Sequence, residues 1–206
     1  MAQKTSDSRD TDVIVVGAGF AGMYALHKFR GLGLRTQVLE AGKDVGGTWY
    51  WNRYPGASCD IESYVYLPLL EKTGFVPKQK YTNAPETLEY CNVIAEKYEL
   101  HERAILQTEV TSTDWDEETG RWTVSTNRQD NIKARYVVHS NGPLNRPKLP
   151  AIKGINDYKG HTFHTSRWDY NYTRGDSHGG LSGLKNKRVA VIGTLSLIHI
   201  SEPTRQ

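Results

Sequence analysis

Apolar positions follow two rhythms along this chain. Asp12 to Val16 is a short β-branched run, the mark of a strand buried on both faces in a parallel sheet. From Phe20 to about Arg30 the apolar residues Met23, Leu26 and Phe29 recur on one helical face, and Gly31 and Gly33 end the pattern. Thr36 to Leu39 predicts a second strand, closing on Glu40. Asn83 to about Tyr98 reads as an amphipathic helix that packs on a core. Asn83 suits its cap, Pro85 its first turn, and Leu88, Cys91, Ile94, Ala95 and Tyr98 its apolar stripe. Ile105–Asp114 and Trp122–Thr126 predict strands joined through a hairpin at 117–120, and Ala134–Ser140 predicts another, ended by Asn141 and Gly142. Pro143, Pro147 and Pro150 mark an extended linker, Gly175–Gly183 a flexible loop, and Arg188–Gly193 opens like a further strand.

The first strand, helix and second strand frame a chemical motif. Gly17, Gly19 and Gly22 stand at G-x-G-x-x-G spacing between strand and helix. The first glycine permits a tight turn, the second lets backbone approach a pyrophosphate, and the third lets helix pack on strand. The helix N-terminus offers free N–H groups and partial positive charge to phosphates. Glu40 falls about twenty residues after Gly17, close to where an acid accepts from ribose hydroxyls. Three glycines alone would indicate no more than a tight turn. Strand, glycines, helix, second strand and terminal acid together predict dinucleotide binding.

Residues 41–63 are rich in glycine and aromatic side chains and show neither helical nor strand period. Long irregular segments inside a compact domain tend to be functional. Two readings fit: an aromatic loop packed over a core, or a loop wrapping a flat aromatic cofactor, with Gly46 and Gly47 allowing close approach and tryptophans walling it. The net charge of +3 is spread without long runs, which argues against a nucleic-acid surface. No apolar run reaches the length of a membrane span, and the two cysteines, Cys59 and Cys91, give neither a disulfide framework nor metal-ligand spacing. A cytoplasmic location is the expectation. His161 and His164 are three residues apart, but no third ligand stands at a metal-binding spacing, so no metal is expected.

Three stretches resemble the type I Baeyer–Villiger monooxygenases: GAGFAG at 17–22, GGTWYWNRYPGASCD at 46–60 and YKGHTFHTSRWD at 158–169. The last is similar to the family fingerprint F-x-G-x-x-x-H-x-x-x-W followed by Pro or Asp. Gly160, His164, Trp168 and Asp169 match it, and Tyr158 replaces the phenylalanine while keeping the ring. Related monooxygenases acting on nitrogen or sulfur carry a similar fingerprint without the Trp-Asp ending. The resemblance implies FAD and NADPH as cofactors, and a ketone converted to an ester or lactone by O2 through a peroxyflavin. It implies that Gly17, Gly19, Gly22 and Glu40 meet the FAD diphosphate and ribose. It also implies that Gly47, Thr48, Trp49, Trp51 and Tyr66 lie on the flavin side, and that the Val110 backbone meets adenine. Asp60 matches the active-site aspartate that orients an arginine; a cation beside a peroxide holds it deprotonated. Read without the family, the alternative is that Asp60 is a loop carboxylate capping a nearby turn. His164 and Trp168 match a linker coupling NADP to domain motion.

The expected fold class is α/β. A polar arm (1–11) precedes an incomplete Rossmann-like FAD-binding domain (12–142), its parallel sheet carrying a β-hairpin or meander insertion. A linker with the fingerprint (143–184) and the first strand of a second, NADP-binding Rossmann-like domain (185–194) follow. A phosphate loop opening at Gly193 would place glycine at 195 and a small residue at 198, where Leu195 and Ile198 stand. Residues 195–206 resemble a translated sequencing adapter, so the sequence is expected to be a fragment without catalytic competence, of unassigned oligomeric state. Two rival readings remain: a monooxygenase acting on nitrogen or sulfur, and a non-enzymatic partial FAD-binding module.

Overall fold

A computed structural model describes residues 11–193. The arm at 1–10, Thr194 and the adapter-like stretch 195–206 lie outside the described residues. The chain divides into two compact units. The first comprises the described part of Met1–Gly47 together with Tyr90–Gly142, and the second comprises Thr48–Glu89 with the described part of Pro143–Gln206. The stretch expected to form one domain from 12 to 142 is therefore interrupted by a segment that clusters with the linker.

The first unit is built on a six-stranded sheet. Its strands are β1 (Thr11–Val16), β2 (Thr36–Leu39), β3 (Ala104–Ile105), β4 (Val110–Asp116), β5 (Arg121–Thr126) and β6 (Asn131–His139), in the order β3-β2-β1-β6-β5-β4. β1 lies between β2 and β6 and runs parallel to both, so its β-branched residues meet protein on each face. Val13, Ile14 and Val15 are completely buried. The helix α1 (Phe20–Gly31) follows β1 and buries Gly22, Met23 and Leu26. It ends where Gly33 turns left-handed and donates to the Arg30 carbonyl (2.9 Å). Ile14, Leu39, Val124, Ile132 and Ala134 form a core cluster, with Val16, Ile105, Val110 and Val137 packed against it.

The strand expected over Ile105–Asp114 is two strands. Gln107 takes a positive φ of 52° and donates to the Gly42 carbonyl, and Thr108 donates to the Glu40 carbonyl. These bonds draw the chain to the end of β2, so β3 pairs parallel with β2 while β4 pairs antiparallel with β5. The β4–β5 hairpin turns as expected. The Asp116 carboxylate accepts from the N–H groups of Glu118 and Thr119 and from the Thr119 hydroxyl. Trp115 and Trp122 pair across the strands, their rings 5.3 Å apart.

In the second unit the irregular segment carries short helices, α2 (Thr48–Trp51), α3 (Ser63–Tyr66) and α4 (Leu70–Thr73). The helix α5 (Ala84–Lys97) begins in this unit and ends in the first. Asn83 caps it as expected, its side-chain oxygen accepting from the Glu86 N–H (2.9 Å). A single turn, α6 (Tyr170–Thr173), follows the fingerprint segment. The strand expected over 185–194 does not form across 188–193, where Val189 is 57% and Ile192 64% exposed. A β-branched run becomes a strand only where a neighbour accepts and donates its backbone bonds, and among the described residues none does so here. No helix of the described residues is long and apolar enough to cross a membrane.

Candidate functional site

The glycine turn sits at the C-terminal end of β1, the edge of a parallel sheet where ligands bind. Ser140 donates to the Val16 carbonyl and Gly17 to the Leu39 carbonyl, so the ends of β1, β2 and β6 converge there. Gly17 has a φ of 103°, and a β-carbon on it would lie 2.7 Å from the Ser140 carbonyl oxygen. At Gly22 a β-carbon would lie 1.9 Å from the Gly17 carbonyl oxygen, so helix and turn approach as the spacing predicts. No side chain caps the N-terminus of α1, and no acidic residue stands in its first turn. Its positive end is thus left to backbone N–H groups.

Glu40 is 5% exposed, and its carboxylate is bonded within the chain. One oxygen accepts from the Ala18 N–H and the other from the Gly42 N–H, both at 2.7 Å. The acid placed opposite a ribose by its sequence position therefore also braces the glycine turn. A carboxylate offers about four acceptor positions, so these two bonds leave room for hydroxyl donors. Gly46 donates to the Ala18 carbonyl (2.9 Å), and Gly47 lies against Gly19. A β-carbon on Gly47 would stand 2.8 Å from the Gly19 α-carbon. Gly17, Gly19, Gly22, Glu40 and Gly47 thus share one place, and together they could hold the diphosphate and ribose of a dinucleotide. Val110 is set apart from them, at the start of β4 opposite Thr126 with a bulge after it.

The second unit assembles the aromatic residues. Trp49 in α2 is buried, and its indole N–H donates to the Tyr66 hydroxyl (2.9 Å). The two rings meet edge to face at 5.9 Å. Trp51 meets Tyr50 edge to face, and the Arg167 guanidinium lies 4.1 Å from the Trp51 ring centre. The Thr48 carbonyl accepts from both the backbone and the side chain of Asn52. Asp60 is exposed and makes no ion pair among the described residues. The neighbouring Cys59 thiol is pushed up from its ordinary value by burial, with Asp60 adding to the shift.

The fingerprint residues cap and brace one another. His164 Nδ1 accepts from the Ser166 N–H (3.1 Å) and caps the 3-10 turn Thr165–Arg167. The Trp168 indole donates to the Thr173 hydroxyl (3.0 Å), and Asp169 caps α6 by accepting from the Tyr172 N–H (3.1 Å). That bond, helped by His161, holds the Asp169 carboxyl below its ordinary value. The exposed Tyr158 ring lies over Gly160. His161 pairs with Asp169 (2.9 Å) and stacks on Tyr172 at 3.8 Å. Sequence reasoning missed that pair because spacing along an irregular segment does not say which side chains meet. No group of three His, Cys, Asp or Glu side chains among the described residues could hold a metal ion. An open cavity of about 540 Å³ lies elsewhere in the first unit, at the starting ends of β1 and β2 beside Thr11, Arg35 and Thr36. Its position, away from the glycine turn, separates it from the chemistry described.

A mixed sheet with parallel strands at β3-β2-β1-β6, a glycine turn entering a helix and a buried acid at the next strand's end define a dinucleotide-binding α/β protein. The sequence pattern of the pyridine nucleotide-disulphide oxidoreductase family matches residues 14–175, and the chain belongs to that family. Several proteins similar to it are named Baeyer–Villiger monooxygenases, and others pentalenolactone D synthases. A Baeyer–Villiger monooxygenase of Streptomyces coelicolor is 53% identical over 184 residues, 89% of this chain and 30% of the relative. The polycyclic ketone monooxygenase of Thermothelomyces thermophila superposes with a TM-score of 0.83 at 37% identity, over 94% of this chain and 33% of that one. The crystal structure of OTEMO in complex with FAD and NADP superposes with a TM-score of 0.75 at 34% identity, over 82% of this chain and 33% of that one. The chain spans about a third of the length of the curated relatives it matches.

Proposed function

We propose that this chain forms the FAD-binding opening of a Baeyer–Villiger monooxygenase that converts a small-molecule ketone into an ester or lactone with NADPH and O2. One observation carries the reading. The Glu40 carboxylate clamps Ala18 and Gly42 while Gly47 closes on Gly19, a turn held ready with backbone where a diphosphate would approach. The relatives support the choice of cofactor, since OTEMO was crystallised with FAD and NADP.

In this reading the N–H groups of the turn at 17–22 hold the diphosphate, and Glu40 accepts from a ribose hydroxyl with its remaining lone pairs. Gly47 admits backbone to the cofactor, and Thr48, Trp49, Trp51 and Tyr66 line its flavin side. Trp49 is oriented for that by its bond to Tyr66. The Val110 backbone meets the adenine. Asp60 orients an arginine whose charge favours an oxygen anion over its protonated form. The segment Tyr158, Gly160, His164, Trp168 and Asp169 links the flavin side to NADPH binding. Bound FAD would supply hydride acceptance and oxygen activation. Free Cys59 and Cys91 suit a cytoplasmic location.

The test is product analysis with the whole protein, given NADPH, 18O2, a cyclic ketone and a thioether. A lactone carrying one labelled oxygen is expected. A sulfoxide with no lactone from any ketone of a broad panel would favour the rival that oxidises nitrogen or sulfur.

A further inference from the structure

The GGTW segment and the fingerprint are joined at several points. The Arg167 guanidinium lies over Trp51 at 4.1 Å and donates to the carbonyls of Asn145 (2.9 Å) and Ser166 (2.8 Å). Asn52 donates to the Leu144 carbonyl (2.9 Å), and the Tyr170 hydroxyl to the Arg53 carbonyl (2.5 Å). Arg53 in turn lies over Tyr50 at 4.9 Å. Residues 50–53 are therefore held from two sides, by 144–145 before the fingerprint and by 167–170 at its end. Arg167 touches both Asn145 and Trp51.

We propose that Arg167 is a positioning residue, its guanidinium seated on Trp51 so that the fingerprint segment sets the placement of the α2 turn. The functional consequence rests on the flavin reading: displacing Arg167 would loosen Trp51 and Trp49 together and so weaken FAD binding. The fit is specific to arginine. Its planar fork serves two carbonyls while its flat face stays on the indole, whereas lysine keeps the charge but loses the fork. The chemical class at the fingerprint position before Trp168 thus matters, although it is an unspecified position in the family pattern.

The experiment uses the 206-residue chain grown with 5-fluorotryptophan. Its 19F spectrum contains five indole signals, and W51F identifies that of Trp51. R167M is expected to shift the Trp51 signal and leave Trp115 and Trp122 unmoved, so those two report that the first unit is still folded. Amide exchange at 48–53 should rise about two- to fivefold, as loss of an exposed cation–π contact implies. R167K should leave the Trp51 signal nearer to wild type than R167M does. An unmoved Trp51 signal and unchanged exchange in R167M would overturn the proposal. So would an R167K protein that matches wild type in both readouts, since the guanidinium fork would then be dispensable. A parallel FAD titration separates the two readings. Failure of the wild-type chain to bind FAD would sink the flavin reading while the Trp51 signal still decides the contact.

Discussion

Replacing Glu40 tests whether one buried carboxylate shapes the dinucleotide turn. In E40A the N–H groups of Ala18 and Gly42 lose acceptors at 2.7 Å, both in buried surroundings. A hydrogen bond to a charged group contributes about 1.5–3 kcal/mol, so two give a loss of about 3 kcal/mol even at the low end. Total stability for a domain is about 5–15 kcal/mol, so the variant should fold but weakly. With a urea slope of about 1.5–2 kcal/mol per M, the midpoint should fall by about 1.5–2 M. E40Q keeps one carbonyl oxygen and turns its amide against the other N–H, so it should lose about half as much. The assay is urea unfolding followed by far-ultraviolet circular dichroism, with a parallel FAD titration. Both variants should bind FAD at least tenfold more weakly, because the turn is no longer held. Midpoints within about 0.3 M of wild type for both variants would refute the argument.

Other outcomes follow from the same geometry. G47A should cost about 1–2 kcal/mol from its left-handed backbone alone, and more from the approach to Gly19; thermal unfolding measures it. W49F and Y66F should each cost about 0.5–1.5 kcal/mol, and a double-mutant cycle should show that the two losses overlap. Asp169 predicts a pH dependence. Its folded-state pKa lies below the ordinary 3.8, so its contribution is present above that value and is lost as pH falls through the lowered one. Thermal midpoints measured from pH 6 to pH 3 should therefore fall less steeply in D169N than in wild type.

The parts most legible in the sequence are those whose partners lie close in the chain. β1, α1 and β2 carry their own signals: a β-branched run, a helical apolar face, glycines at both ends and an acid after Leu39. Their bounds fall within a residue or two of expectation. The place of Gly17, Gly19, Gly22 and Glu40 at one turn followed from that layout. The break between β3 and β4 did not, because it is set by Gln107 and Thr108 bonding to residues more than sixty positions earlier. Nor did the bonds of Glu40 to Ala18 and Gly42, since a spacing rule proposes a ligand for the acid and is silent on its backbone donors. Arg167 over Trp51 joins positions over a hundred residues apart, beyond any local period. The run at 188–193 is the reverse case: its β-branched residues suggest a strand, and among the described residues no neighbour pairs with it.

The most direct test of the central claim is a titration of the purified 206-residue chain with FAD, followed by quenching of flavin fluorescence. The account predicts saturable binding near one FAD per chain, competed by ADP and weakened at least tenfold in E40A. An absence of saturable binding by a chain whose circular dichroism shows it folded would contradict it.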